Sequence, residues 1–494
     1  MFIEVLLLLC TVLLVVYAVT WVRFSRGYPP GPSRFPVIGS LLSLRDSNSL
    51  LHKTITRMSK TYGDMFTLYL PSQPTIVINT FSVAREALVT QKDTFSGRPY
   101  LFVQDFFSRG SKGLGFNDFT PAMVLARKLV HSALRIYQPY LEDKIKEEGM
   151  AITERFKNYK NQPFDPQNDF SFVIANVVFS IIYGIRFDLD DEELHESVRY
   201  NNMGAEVLGP VSILNVFPWL INFPIRQTRI LKEIMDHRTR VKDARYYKLK
   251  ETFQENQTRH LTDALLQAKL EEERDDRNSL THMTDDHIMA ITDAVFGAGA
   301  ETTATALRWE LAYLLNYPDV QEQINEEIKD VFGSDGTIEL KKRKNCHFLE
   351  AFMTEVLRCA SIGPLFAHKS TCDTVLCGYR IPKNTTILLN IWAINHDPKE
   401  WENPYEFKPS RFLDSKGEFT GTQKMSYLPF GAGRRSCVGE ALAKKELFLM
   451  SAILFQKFKF ENPEGSPLPD IHDGTLGIAY APKPFKVVAR ARDV

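Results

Sequence analysis

The chain has 494 residues, and 60 Lys+Arg balance 60 Asp+Glu, so its formal net charge is zero. It is 44% hydrophobic, 12% aromatic and 24% charged, an ordinary globular composition that excludes a disordered, collagen-like or disulfide-scaffold protein. The missing basic excess argues against nucleic acid as a partner. Six cysteines at irregular spacing (10, 346, 359, 372, 377 and 437) read as reduced thiols, and Cys372 with Cys377 lacks the second pair a zinc site needs.

Val5 to Val22 (VLLLLCTVLLVVYAVTWV) carries no charge and no proline. Eighteen residues at 1.5 Å each reach about 27 Å, close to the hydrocarbon core of a bilayer, which predicts a transmembrane helix. Tyr17 and Trp21 suit its interfacial end. Glu4 precedes it and Arg23 and Arg26 follow, so the bulk of the chain is expected in the cytosol. Residues 1–26 are thus the expected anchor. Residues 27–40, with Pro29, Pro30, Pro32, Pro36 and Gly39, form a stiff proline-rich hinge.

The body begins with strand patterns at Met65–Leu70 and Thr75–Ile78. A mostly helical region follows from about 120 to 360. Two β-like runs, Val375–Ile381 and Thr385–Leu389, precede a loop-rich stretch and a helix from Glu440 to Phe455. There is no regular strand–helix alternation, so a doubly wound sheet is not expected. Thr284-Asp285-Asp286-His287 is a helix start, with a capping hydroxyl and two acids, and the helix runs to about Asn316 before Pro318.

The stretch Phe430-Gly-Ala-Gly-Arg-Arg-Ser-Cys437-Val-Gly439 places a cysteine just before the last helix. Its glycines allow a tight turn with exposed N–H groups, and a thiolate there gains those donors and the helix N-terminus. An inert core thiol is the plainer alternative for a lone cysteine. The pattern F-x-x-G-x-R-x-C-x-G, in Phe430, Gly433, Arg435, Cys437 and Gly439, resembles the signature of the cytochrome P-450 family of haem-thiolate monooxygenases. The resemblance runs from the N-terminal helix to the chain's end. It implies a mainly α fold with small β-sheets, one large catalytic domain over residues 41–494, and haem b as cofactor. It implies Cys437 as the iron's axial ligand, whose thiolate favours O–O cleavage, with Phe430 packed on the thiolate side.

Further segments resemble the same family. Ala298-Gly-Ala-Glu301-Thr302 matches its oxygen-side motif. That resemblance implies that Gly299 lets oxygen and substrate approach the backbone, Thr302 holds a water, and Glu301 relays protons. Close helix packing by small residues is the competing reading of Gly299. Glu355 and Arg358, with Arg411 in Pro409-Ser-Arg-Phe412, resemble the family's buried structural trio. Arg98, Arg127, His368 and Arg435 resemble its haem-propionate partners, with Met123 standing where relatives carry a tryptophan. His282 and His287 receive no role.

Pro218-Trp-Leu220 after Val211–Leu214, Tyr200-Asn201, Ser426–Pro429 and Glu446–Leu449 look most like the steroid 17α-hydroxylase/17,20-lyase group. On that likeness Asn201 and Arg238 bind the polar end of a steroid, and Ala298 is the small residue facing it. Oxidation of planar aromatic or fatty substrates is the alternative. A haem isomerase or sensor without oxygen activation is the alternative from another class, against which the Glu301–Thr302 pair argues. The implied partners are NADPH–cytochrome P-450 reductase and cytochrome b5, at the cytosolic face of the endoplasmic reticulum membrane. Lys341–Lys344, Arg434 and Lys444-Lys445 are candidate docking cations.

Overall fold

The computed structural model describes residues 2–25, 27–35, 38–45, 50–70, 73–208, 212–274, 283–421 and 426–492. Arg26, Pro36, Val211 and His282, named above, lie outside them. The chain divides into two compact units. The smaller takes Met1–Pro99, Gly363–Glu402 and Met425–Ser436; the larger takes Tyr100–Ile362, Asn403–Lys424 and Cys437–Val494.

The smaller unit is built on β1 (Met65–Tyr69), β2 (Pro74–Ile78), β3 (Leu365–Lys369), β4 (Thr374–Leu376), β5 (Tyr379–Ile381) and β6 (Thr386–Asn390). The main sheet runs β1-β2-β6-β3, with β2 and β6 parallel and the other neighbours antiparallel. The two-residue period sends Ile76, Ile78, Ile387 and Leu389 into one apolar cluster, and Phe66, Leu68 and Val77 into another with Ile55 of the Leu51–Tyr62 helix. Burial on both faces explains why β2 reads as an unbroken apolar run. The run expected over Val375–Ile381 is a hairpin of β4 and β5 instead of one strand. Cys377 (φ 48°) and Gly378 (φ 83°) both take the left-handed conformation that a tight two-residue turn requires.

Phe2–Ser25 is helical, and its described apolar side chains are exposed, Leu8 and Leu14 among them. Among the described residues no helix is long and apolar enough to cross a membrane.

The larger unit is mainly helical. Its axis is the 32-residue helix Asp285–Asn316, about 48 Å long at 1.5 Å per residue. His287 turns out to be its capping partner: Nδ1 accepts the backbone N–H of Thr284 at 3.2 Å. Tyr317 ends the helix, and Pro318 opens the next, Pro318–Phe332. One side of the long helix packs on Gln167–Tyr183, where Ile288, Ile291, Phe296 and Ala300 share a core cluster with Val178, Phe179 and Ile182. The other meets the C-terminal helix Glu440–Lys457 through polar rungs, Thr303 with Glu446 and Ser451 with Glu310. β7 (Phe458–Glu461), β8 (Gly474–Leu476), β9 (Tyr480–Pro482) and β10 (Val488–Ala491) pair as β7 with β10 and β8 with β9.

Candidate active site

In the smaller unit, the turn Phe95–Arg98 gathers three of the expected propionate partners. Gly97 exchanges both backbone hydrogen bonds with Lys369, at 3.1 and 2.9 Å, which lays the turn along β3. His368 of β3 then donates from Nδ1 to the Phe95 carbonyl at 2.7 Å. A carbonyl only accepts, so Nδ1 carries the proton. Arg435 donates from Nε to the Ser96 carbonyl at 2.7 Å, and Arg98 donates to the Ala367 carbonyl. Burial first, and then the Arg98 and Arg435 charges, hold His368 well below the usual imidazole range. The motif glycine Gly433 sits here at φ 71°, and a Cβ on it would lie 2.0 Å from the Leu88 carbonyl oxygen. Glycine is required at that position by both conformation and contact.

In the larger unit, Cys437 is an exposed thiol at the entrance to the Glu440–Lys457 helix. The backbone amides of Gly439 and Glu440 act on its sulfur to lower the thiol's pKa. Although part of its surface is open, the protein packed around the sulfur desolvates it, which is the largest influence and raises the thiol's pKa, while the Gly439 amide and the Arg127 guanidinium favour the thiolate. Arg127 lies on the helix Pro121–Ile136, and burial lowers its own pKa. Met123, one turn earlier, is buried, and its backbone N–H bonds the Thr120 hydroxyl at 3.2 Å. Cys359 contrasts with Cys437: it is buried, raised far above the usual thiol range by burial, and takes a hydrogen bond from Arg358 at 2.9 Å. It is a packed core thiol.

The middle of the long helix is open. Ala298 is exposed and Glu301 and Thr302 are half-buried, although the helix is buried over 288–292 and 303–315. Thr302 donates its hydroxyl to the Ala298 carbonyl at 2.7 Å, so its oxygen lone pairs are what it presents outward. Burial pushes the Glu301 carboxyl up to about 7. A Cβ on Gly299 would stand 3.1 Å from Val178 Cγ2, so the neighbouring helix packs closely on that side of the glycine. Gly297, in turn, faces Asn201, whose Oδ1 lies 3.4 Å from where a Cβ would be. Arg238 donates to the Phe106 carbonyl at 2.7 Å, and its Nε has no partner among the described residues.

Glu355, Arg358 and Arg411 form one buried cluster. Arg358 makes a two-pronged pair with Glu355 at 2.7 and 2.9 Å, and Arg411 joins Glu355 at 2.8 Å. The Arg358 guanidinium also holds the Pro404 carbonyl at 2.8 Å, so the cluster fixes the loop that carries Arg411. Most of the proposed docking cations are already paired. Lys341 meets Glu339 at 2.8 Å, Arg343 meets Glu350, Lys444 meets Glu440 at 2.6 Å and Arg434 meets Asp93 at 2.7 Å.

Two features carried no role in the sequence. Arg109 pairs with Asp243 and Asp293, a long-range contact with no motif to announce it. Glu446 is 1% exposed, and its place directly before the apolar run Leu447-Phe448-Leu449-Met450 was the available signal.

The family described as "Cytochrome P450" matches residues 29–489. Relatives named "Steroid 17-alpha-hydroxylase/17,20 lyase" match almost end to end. That of Rana dybowskii is 36% identical, covering 94% of this chain and 91% of the relative. That of Ictalurus punctatus is 34% identical over 98% and 96%, and that of Gallus gallus 35% identical over 95% and 93%.

Proposed function

The chain belongs to the cytochrome P-450 family of haem-thiolate monooxygenases, and from that premise we propose that its substrate is a steroid of the progesterone or pregnenolone type. It hydroxylates carbon 17, with 17,20 bond cleavage as a further step. The observation that carries this reading is the end-to-end match to relatives bearing that one name.

The residues present suit haem. Cys437 offers an exposed sulfur whose thiolate form is favoured by the Gly439 and Glu440 backbone amides and by Arg127, as an axial thiolate needs. Arg98, with His368 and Arg435 bonded to the carbonyls of its turn, and Arg127 are the donors that two propionates require. Phe430 is assigned to the thiolate side by resemblance. Haem so ligated supplies the reductive activation of O2, with the thiolate favouring O–O cleavage.

The chain's own residues then handle protons and substrate. Because the Thr302 hydroxyl proton is engaged by Ala298, Thr302 orients a water by accepting from it. Glu301, near 7 through burial, is poised to release and regain a proton at neutral pH, as a general acid must. Its supply of protons falls as pH rises through that value. Ala298 leaves space beside Thr302 for a flat apolar substrate. Asn201, set against the same helix at Gly297, hydrogen-bonds the substrate's far polar group, and Arg238 supports that end.

Electrons come from NADPH through a flavoprotein reductase, with cytochrome b5 as a second donor. Phe2–Ser25 and the proline-rich segment hold the enzyme on the cytosolic face of the endoplasmic reticulum. The test is a spectral titration of the full-length holoprotein with progesterone, pregnenolone and a planar polycyclic hydrocarbon. Turnover with NADPH and reductase follows for each ligand. Steroids should shift the haem to high spin and yield 17-hydroxylated product. Turnover of the hydrocarbon alone, with no spectral response to steroids, would overturn the substrate assignment.

A further inference from the structure

Glu446 lies on the Glu440–Lys457 helix, about two turns beyond the Gly439 cap. Its side chain is sealed from water, being 1% exposed. Thr303 of the long helix, itself 3% exposed, donates its hydroxyl to Oε2 at 3.1 Å. Oε1 has no hydrogen-bond partner among the described residues. Burial pushes this carboxyl up to about 8, so at neutral pH it is mostly a neutral acid. Two helices packed by apolar side chains alone would avoid the cost of burying an acid with one oxygen unsatisfied. That cost calls for a role beyond packing.

The place where the rung attaches supplies one. Thr303 adjoins Thr302, so displacing one displaces the other. This stretch is also the weakest part of the long helix. Gly297 and Gly299 each cost about 1 kcal/mol of helix stability relative to alanine. The Thr302 hydroxyl, bonded back to the Ala298 carbonyl, further favours a local bend. We propose that Glu446 is a positioning residue for the Glu301–Thr302 pair: through Thr303 it pins that turn of the long helix to the helix that begins behind Cys437. The inference rests on the oxygen-side reading of Thr302 given above.

The test compares Glu446→Leu, Glu446→Gln and Thr303→Val with Thr302→Ala as control, all in the full-length holoprotein. Four quantities are read: the ferrous carbon monoxide spectrum, steroid affinity, product formed per NADPH, and peroxide released. Glu446→Leu and Thr303→Val should keep the thiolate spectrum and the steroid affinity. Their product per NADPH should fall about 2- to 12-fold, the range one hydrogen bond spans, with peroxide rising to match. Glu446→Gln keeps a carbonyl acceptor for Thr303 and should remain coupled like the parent. Thr303→Val approaches the same bond from the other helix, so it decides the matter if Glu446→Leu does not fold. If Thr302→Ala uncouples but Glu446→Leu and Thr303→Val do not, this inference is wrong and the oxygen-side reading stands. If Thr302→Ala itself stays coupled, that reading falls, and this one with it. Equal losses in Glu446→Gln and Glu446→Leu would also overturn it.

Discussion

Replacing Glu310 with glutamine should stabilise the protein, and increasingly so as the pH rises. Glu310 is 1% exposed and accepts a hydrogen bond from Ser451 of the C-terminal helix. Burial pushes its carboxyl from 4.5 to about 8, the Ser451 hydrogen bond offsetting only part of that. The folded-state pKa therefore lies above the unfolded one. Between the two values the folded chain binds a proton that the unfolded chain has released, so stability is lost as pH climbs through that window. A gap of about 3.5 units at ~1.36 kcal/mol each sets a ceiling of about 5 kcal/mol on the cost above pH 8. Glutamine has the same shape, keeps an acceptor for Ser451 and does not titrate. The assay is thermal loss of the ferrous carbon monoxide band in detergent-solubilised, full-length holoprotein at pH 5.5 and 8.5. The variant's advantage should be small at the lower pH and clear at the higher. An advantage of equal size at both, or a variant less stable than its parent at pH 8.5, would refute the argument.

Cys437→Ser should abolish the red-shifted carbon monoxide band of a thiolate-ligated ferrous haem, whereas Cys359→Ser should leave its position unchanged. Glu355→Ala would strand the Arg358 and Arg411 guanidinium groups in the core. The expected cost is about 3–5 kcal/mol, seen as a sharp fall in the yield of haem-loaded protein. Asn201→Ala should weaken binding of 3-keto or 3-hydroxy steroids by about 5- to 150-fold, the effect of losing one buried hydrogen bond of about 1–3 kcal/mol. Equilibrium titration should show little change for a planar hydrocarbon, and an equal loss for both ligand types would reduce Asn201 to a structural amide.

What the sequence revealed depended on how local the cause was. The long helix was legible to its ends, because Thr284, the first-turn acids and Pro318 act within a turn of where they stand. The β4–β5 hairpin was not, because Cys377 is not a residue that announces a left-handed turn. Gly299 shows the limit of a motif: the same glycine suits an approaching oxygen or an approaching helix, and the helix contact, through Val178, is visible only in three dimensions. Arg98, His368 and Arg435 were singled out one by one from resemblance, but what brings them together is a backbone pairing of Gly97 with Lys369. No side-chain pattern encodes such a pairing. Likewise, the docking cations looked free as a sequence and prove largely compensated by Glu339, Glu350, Glu440 and Asp93.

The gathering of Arg98, His368 and Arg435 around the Phe95–Arg98 turn has a bearing on how much of this protein a cell can keep. Burial first, and the neighbouring Arg98 and Arg435 charges after it, keep the imidazole neutral, and the two guanidinium groups held close together repel one another. A dianionic guest relieves that repulsion and binds only the folded chain, so the folded fraction rises with the guest's free concentration. Each tenfold increase above its dissociation constant adds about 1.4 kcal/mol. The steady-state level of the protein should accordingly follow the supply of porphyrin, with synthesis of the prosthetic group setting abundance even where transcription does not change.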